Sequence, residues 1–289
     1  MISHPSELAA IQFVKWQELH LKEKPFMLFI DLPADAPDQR KTNLVFETQH
    51  VSVKDIRGEQ KTFTLNENGF MYTALEGFED LTTKEEVESQ YLPAIEELLK
   101  REVEGADKVF IWHWRMRESS ASDQAGVIDV GNGMLPLQPA NYAHIDQGPG
   151  SAFNIIKTRL PQDAETLLQG RVRMLNIWKP LRNNVEDWPL AICDGSTVQV
   201  EDLVETDNVR TTIISTNFYA LHSPSTQKWF YLKNQQPDEA IIFKQLDSDP
   251  DVAASLSLHA AFKHENLPEK YMPRKSIEVR AFVFTNQAP

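Results

Sequence analysis

The sequence predicts a mostly β protein with flanking helices, built on a double-stranded β-helix (jelly-roll) core. Three observations carry this. From residue 171 onward almost every apolar stretch is short, β-branched or aromatic, and bounded by turn signals such as Asp194-Gly195, Ser223-Pro224, Pro237-Asp238 and Asp249-Pro250. Only one long stretch upstream, residues 83–104, has a strong helical stripe. Strand-like runs also punctuate the first half, and many strands after a mixed beginning pack as a sandwich or barrel with helices against it.

In chain order, residues 6–20 place Leu8, Ile11, Phe13, Val14 and Leu19 at loosely helical spacing, which predicts a peripheral helix. Residues 26–32 (FMLFIDL) predict a short strand, and residues 43–56 a strand or hairpin arm from the alternating Leu44-Phe46-Thr48 and Val51-Val53. Over 83–104, Thr83 to Glu86 resembles a capping box, and Val87, Tyr91, Leu92, Ile95, Leu98 and Leu99 form one stripe. Pro93 predicts a kink or a split there, because its ring crowds the preceding turn. Residues 108–116 read as a strong strand, and a Gly-Pro-Gly turn at 148–150 opens a helical patch ending near Gly170. Strands then follow at 171–181, 210–221, 228–232, 239–246, 255–262 and 276–284. No repeat or linker divides the chain, so the expectation is one domain over 1–289, with 1–120 an N-terminal α/β elaboration and 140–285 the jelly-roll core.

Composition narrows the function. A formal charge of −13 over 289 residues disfavours nucleic acid as a partner. No apolar run approaches the roughly 20 residues of a membrane span. Residues 1–24 lack the basic and apolar regions of a secretory signal, so the expected compartment is the cytosol. Cys193 stands alone, which excludes an intrachain disulfide and a multi-cysteine metal site. Phosphate-binding loops, dinucleotide fingerprints and nucleophile elbows are absent. The glutamates of 85–97 read as a solvated helix face, Arg171 and Arg173 as an exposed strand face with contact to an anionic substrate as the lesser alternative, and Asp247 to Asp251 as a turn, without the glycine and distal glutamate of a calcium loop.

The chemistry gathers at Tyr142-Ala143-His144-Ile145-Asp146. Side chains two apart on a strand share a side, so His144 and Asp146 can grip one ion. Two histidines and one carboxylate is the usual facial set for non-haem Fe(II). The third ligand is sought among His259, His264 and His222. His259 is favoured because it lies within SLSLHAAF, whereas His264 sits in a charged loop and His222 at a strand end. Composition alone leaves His259 readable as a satisfied core histidine. Pro273-Arg274-Lys275-Ser276 shifts the balance: an Arg and a Ser two apart at the mouth of a strand can clamp a carboxylate, the guanidinium through its two-pronged fork. Arg280 shares that parity and ranks second as the anchor. Asn176, Trp178 and Tyr231 lie on strands able to line a cavity, with core packing the competing reading for both aromatics.

These residues occur in an ordered set: Val53 to Gly58, His144-Ile145-Asp146-Gln147, Asn176-Ile177-Trp178-Lys179-Pro180-Leu181, Pro189-Leu190-Ala191 with Cys193-Asp194, Trp229-Phe230-Tyr231, Pro237-Asp238-Glu239, His259-Ala260-Ala261-Phe262 and Pro273 to Arg280. Across residues 25–285 the set resembles the gibberellin-desaturase-like hydroxylase/desaturase family of fungal secondary metabolism. The resemblance implies an Fe(II)/2-oxoglutarate oxygenase with iron on His144, Asp146 and His259, acting with O₂ on a small molecule that it hydroxylates, desaturates or cyclises. One departure is Lys179, where the family resemblance leads one to expect Arg. An iron enzyme without 2-oxoglutarate and a catalytically silent binding protein are the competing readings.

Overall fold

Residues 6–122, 131–210, 214–265, 267 and 269–285 are described by a computed structural model. The first strands are β1 (Ser6–Val14), β2 (Phe26–Leu28), β3 (Phe46–Asp55), β4 (Phe70–Ala74), β5 (Lys108–Glu118), β6 (His144–Ile145) and β7 (Arg171–Leu181). The rest are β8 (Leu190–Cys193), β9 (Leu203–Val209), β10 (Ile214–Ala220), β11 (Trp229–Tyr231), β12 (Glu239–Asp247), β13 (His259–Ala261) and β14 (Lys275–Thr285). They make a nine-stranded sheet, β1-β3-β11-β8-β13-β6-β10-β9-β2, and a five-stranded sheet, β4-β12-β7-β14-β5. Strands from the first 120 residues are built into both sheets.

Parity explains the smaller sheet. On β7 and β14 the residues Leu175, Ile177, Ile277, Val279, Ala281 and Val283 pack under Ile95, Leu98 and Leu99 of the helix Leu92–Glu102. The opposite parity, Asn176, Trp178, Ser276, Glu278 and Arg280, turns toward the nine-stranded sheet. Both faces are therefore covered, and β7 is buried at every position but its first. The helix is split as its sequence predicts. Thr83 and Glu86 close a capping box, a π turn follows at Val87–Tyr91, and Pro93 sits at the start of Leu92–Glu102.

Two expectations are corrected. The predicted helix over 6–20 is instead strand β1, followed by a short 3-10 turn at Glu18–Leu21. Ala9, Ile11 and Phe13 alternate inward, each fully buried, so a period of two wins over the looser helical spacing. β1 also folds the large sheet back on itself, because Gln12 N–H donates to Asn141 O and Ala143 N–H to Gln12 O, both at 2.9 Å. The second correction concerns Arg171 and Arg173. Arg173 is buried and donates to Glu104 O and Thr285 Oγ1, while Arg171 pairs with Asp247 and Asp249.

Lys179 is fully buried on the helix side, donates to Phe78 O at 2.8 Å and lies 6.0 Å from the Tyr91 ring centre. Its hydrogen bonds end on carbonyls rather than a carboxylate. Burial lowers its ammonium from 10.5 to about 8. Between those values the unfolded chain holds the extra proton, so this group makes stability rise as pH climbs from about 8 to 10.5. Lys179→Met should flatten that rise in denaturant titrations run across the interval. An unchanged slope would assign it to another group.

Candidate metal centre

His144 sits on a two-residue strand wedged between neighbours. It pairs in register with Tyr219 of β10 on one side and His259 of β13 on the other. Partners directly opposite in a sheet share a face, so the two imidazoles lie together with ring centres 4.2 Å apart. Asp146 follows the strand and turns toward the smaller sheet. Its Oδ1 lies 3.7 Å from His144 Nε2 and its Oδ2 lies 3.8 Å from His259 Nε2. These separations are too long for hydrogen bonds. All three donor groups fall within 4.8 Å of one another and none is exposed.

Each of the three is oriented by a neighbour. His144 Nδ1 donates to Tyr142 O at 2.6 Å, which leaves the Nε2 lone pair facing Asp146. Asn176 Nδ2 donates to Asp146 Oδ2 at 2.6 Å and Arg280 Nη2 to Asp146 Oδ1 at 2.8 Å. The Asp146 N–H donates to Gln245 Oε1 at 2.8 Å. His259 is held by ring contact with Phe243, 4.8 Å between centres.

Charge reinforces the geometry. Burial pushes the Asp146 carboxyl upward, but the Arg280 cation and the two imidazoles outweigh it and hold the group well below its usual range. Burial, helped by the neighbouring His144, keeps His259 well below an ordinary histidine, hence neutral and free to donate a lone pair.

Of the two arginines ranked as an anchor, Arg280 is committed, bonding Asp146 and Glu278. Arg274 is buried at the start of β14, with its guanidinium 5.4 Å from the Trp178 ring centre and Nη1 donating to Trp188 O at 2.6 Å. Its Nε, like Ser276 Oγ, is buried without a hydrogen-bond partner. Burial, then the nearby Arg117 charge, lowers this guanidinium to about 9. In register, Arg280 faces Asn176, Glu278 faces Trp178 and Ser276 faces Pro180, so one face of the small sheet runs from Asp146 toward Arg274.

Tyr231 is not part of this group. It packs with Phe262 and His264 inside the curled large sheet, its hydroxyl donating to Glu7 Oε2 at 3.3 Å. His264 pairs with Glu7 at 2.6 Å, and His222 packs at a tilt against the Phe13 ring, 4.8 Å between centres, so neither approaches Asp146. Gln245 and Glu278 are site residues that sequence reasoning missed. Glu278 shares the parity of Arg274 and Arg280, and that alternation was the available signal.

Comparison with known proteins agrees with this geometry. A family described as an oxidoreductase/YMDC permease-like domain matches residues 11–284. The Fe(II)/2-oxoglutarate-dependent dioxygenase nvfI of Aspergillus novofumigatus is 33% identical over 260 residues, 86% of this chain and 87% of that protein. The hydroxylase/desaturase efuI of Hormonema carpetanum is 30% identical, covering 84% of this chain and 86% of its own length. A solved structure of the iron and alpha-ketoglutarate-dependent endoperoxidase NvfI matches with a TM-score of 0.81 at 30% identity, over 96% of this chain and 98% of that one. Among the described residues no helix is long and apolar enough to cross a membrane. The chain belongs to this oxidoreductase family and, within it, to the Fe(II)/2-oxoglutarate-dependent hydroxylases and desaturases of fungal secondary metabolism.

Proposed function

We propose that His144, Asp146 and His259 hold Fe(II), that Arg274 and Ser276 anchor the far carboxylate of 2-oxoglutarate, and that the enzyme oxidises a small-molecule intermediate with O₂. The carrying observation is the pairing of a buried His-Asp-His cluster with two buried orphan donors, Arg274 Nε and Ser276 Oγ. Buried polar groups are rarely left without partners, and these two match a carboxylate. Iron and 2-oxoglutarate would supply, when bound and with O₂ as oxidant, an oxidative decarboxylation to succinate and CO₂ that takes up one oxygen atom and leaves the other as the oxidising equivalent for a substrate C–H bond.

The chain's own residues do the rest. Arg280 and Asn176 keep the Asp146 carboxylate charged and fix its two oxygens. The Tyr142 carbonyl sets the His144 tautomer. Trp178 and the Trp188 carbonyl hold the Arg274 fork in place, and Asn176 Oδ1, itself without a partner, is available to a ligand beside Asp146. Burial of the whole set excludes water. Within this reading the chain acts as one domain, and its single cysteine, buried and pushed up to about 12 chiefly by desolvation, suits a reducing cytosol.

Anaerobic titration with Fe(II) and 2-oxoglutarate tests the proposal through the visible charge-transfer band of the chelate. Wild type should show the band and His259→Ala should lose it. Arg274→Ala should need about 10- to 100-fold more 2-oxoglutarate, the worth of a hydrogen-bonded charge. Iron binding with no band would point to an iron enzyme without 2-oxoglutarate. A folded protein that binds no iron would overturn the reading.

A further inference from the structure

The nine-stranded sheet presents a second polar wall to the metal centre. Its position follows from register. Tyr219 opposes His144, so the β10 face carrying Tyr219 and Asn217 is the face of the metal centre. Across β10, Tyr219 pairs with Val204, Asn217 with Thr206 and Ser215 with Asn208. Val204, Thr206 and Asn208 are the buried, inward members of the alternating β9, and Arg210 continues their parity just beyond the strand end.

This wall holds unmatched polar groups. Asn208 is 8% exposed and Asn217 4%, yet neither side-chain oxygen has a hydrogen-bond partner. Arg210 lies with its guanidinium carbon 4.3 Å from the Phe29 ring centre, and Phe29 is pinned there by its N–H bond to Val209 O at 2.8 Å. Stacking occupies one face of the guanidinium and leaves its edge donors open. No carboxylate pairs with Arg210 among the described residues. Burial and then the Arg280 charge both lower the Arg210 guanidinium, as expected for two cations facing one space. Arg280 already has Asp146 and Glu278, whereas among the described residues Arg210 has no counter-charge.

Resting on the iron-site reading above, we infer that Arg210, Asn208 and Asn217 form the substrate-recognition wall, and that the substrate is a carboxylic acid bearing a hydroxyl or other donor. The carboxylate takes the open edge of Arg210, and the donor takes the amide oxygens of Asn208 and Asn217. A wholly apolar substrate would leave all three unmatched in a site that excludes water, at the cost of their desolvation.

The test titrates the full-length protein calorimetrically, with and without Fe(II) and 2-oxoglutarate under anaerobic conditions. The probes are decanoate, abietate, naphthaleneacetate and deoxycholate, each against its methyl ester. At least one acid should bind about tenfold or more tightly than its ester, the scale of one charge-assisted hydrogen bond. Arg210→Gln should abolish that preference while leaving ester binding and the chelate band unchanged. Asn208→Val should weaken the hydroxylated deoxycholate more than abietate. The inference is overturned if no acid is preferred by the wild type, if the preference survives Arg210→Gln, or if Asn208→Val weakens both acids alike. Loss of the chelate band in Arg210→Gln also overturns it, because Arg210 would then serve 2-oxoglutarate. Absence of the band in the wild type would instead count against the iron-site reading, and the acid preference is read independently of it.

Discussion

Asp146→Asn should reduce Fe(II) affinity by more than about 100-fold, beyond the effect of losing a supporting hydrogen bond, and bring turnover to background. The argument is one of charge and of hydrogen-bond direction. Both Asp146 oxygens already accept, one from Asn176 and one from Arg280. An asparagine must aim its NH₂ at one of these donors, so it loses an anionic ligand and meets a donor with a donor. Arg280 keeps Glu278, but a buried ion pair has been broken, and breaking one typically costs about 3–5 kcal/mol. Lower stability of the metal-free protein should therefore accompany the loss of iron. Direct iron titration and thermal melts separate the two effects. A folded variant with wild-type iron affinity would remove Asp146 from the ligand set.

The second large effect is expected at a glycine that touches no ligand. A Cβ at Gly195 would lie 1.9 Å from Leu256 O and 2.9 Å from Ala254 Cβ. At Gly69, whose φ is +80°, a Cβ would approach the same carbonyl to 2.7 Å. Two glycines thus make the slot in which Leu256 lies, and three residues later the chain reaches His259. The segment is also tied down by Ser257 Oγ on Cys193 O and by Cys193 N–H on Leu258 O at 2.8 Å. Gly195→Ala cannot be relieved by a rotamer change, because the obstructing atom is backbone. The expected cost is about 3 kcal/mol, the upper end of overpacking penalties, together with weaker iron binding through a displaced His259. Gly150→Ala, with nothing within 4 Å of its Cβ, is the matched control. Equal melting of the two variants would sink the argument.

Much of the site was legible because its chemistry follows strand parity. His144 and Asp146, two apart, do lie together, and Ser276 and Arg280 do share one face of β14, with Arg274 just ahead of the strand against Trp178 on the same side. What failed, failed for local reasons. In β1 the alternating Ala9, Ile11 and Phe13 are interleaved with Ala10 and Gln12, so small residues blurred the period. β8 is four buried residues in a row with no alternation, and its Leu190–Cys193 run was too short to name. β9 was missed for the opposite reason. Its inward face carries Thr206 and Asn208 beside outward Glu205, so polarity does not alternate, and the wall containing Arg210 stayed hidden with it. Trp178 and Tyr231 looked alike in sequence, but only Trp178 is on the face that meets Arg274.

The strand that closes the large sheet bears on when the proposed iron site can form during synthesis. Gln12, near the beginning of the chain, braces residues 141 and 143 just ahead of His144, whereas Arg280, near the end, completes the surroundings of Asp146. Contacts of such sequence separation form slowly, after their loop-closure entropy has been met. A nascent chain that exposes His144 and Asp146 before the later strands therefore carries only part of the proposed ligand set, without His259 or the balancing Arg280 guanidinium. On the proposed ligand set, iron capture waits until these distant segments have come together, which keeps a redox-active ion away from a chain that is still unfolded.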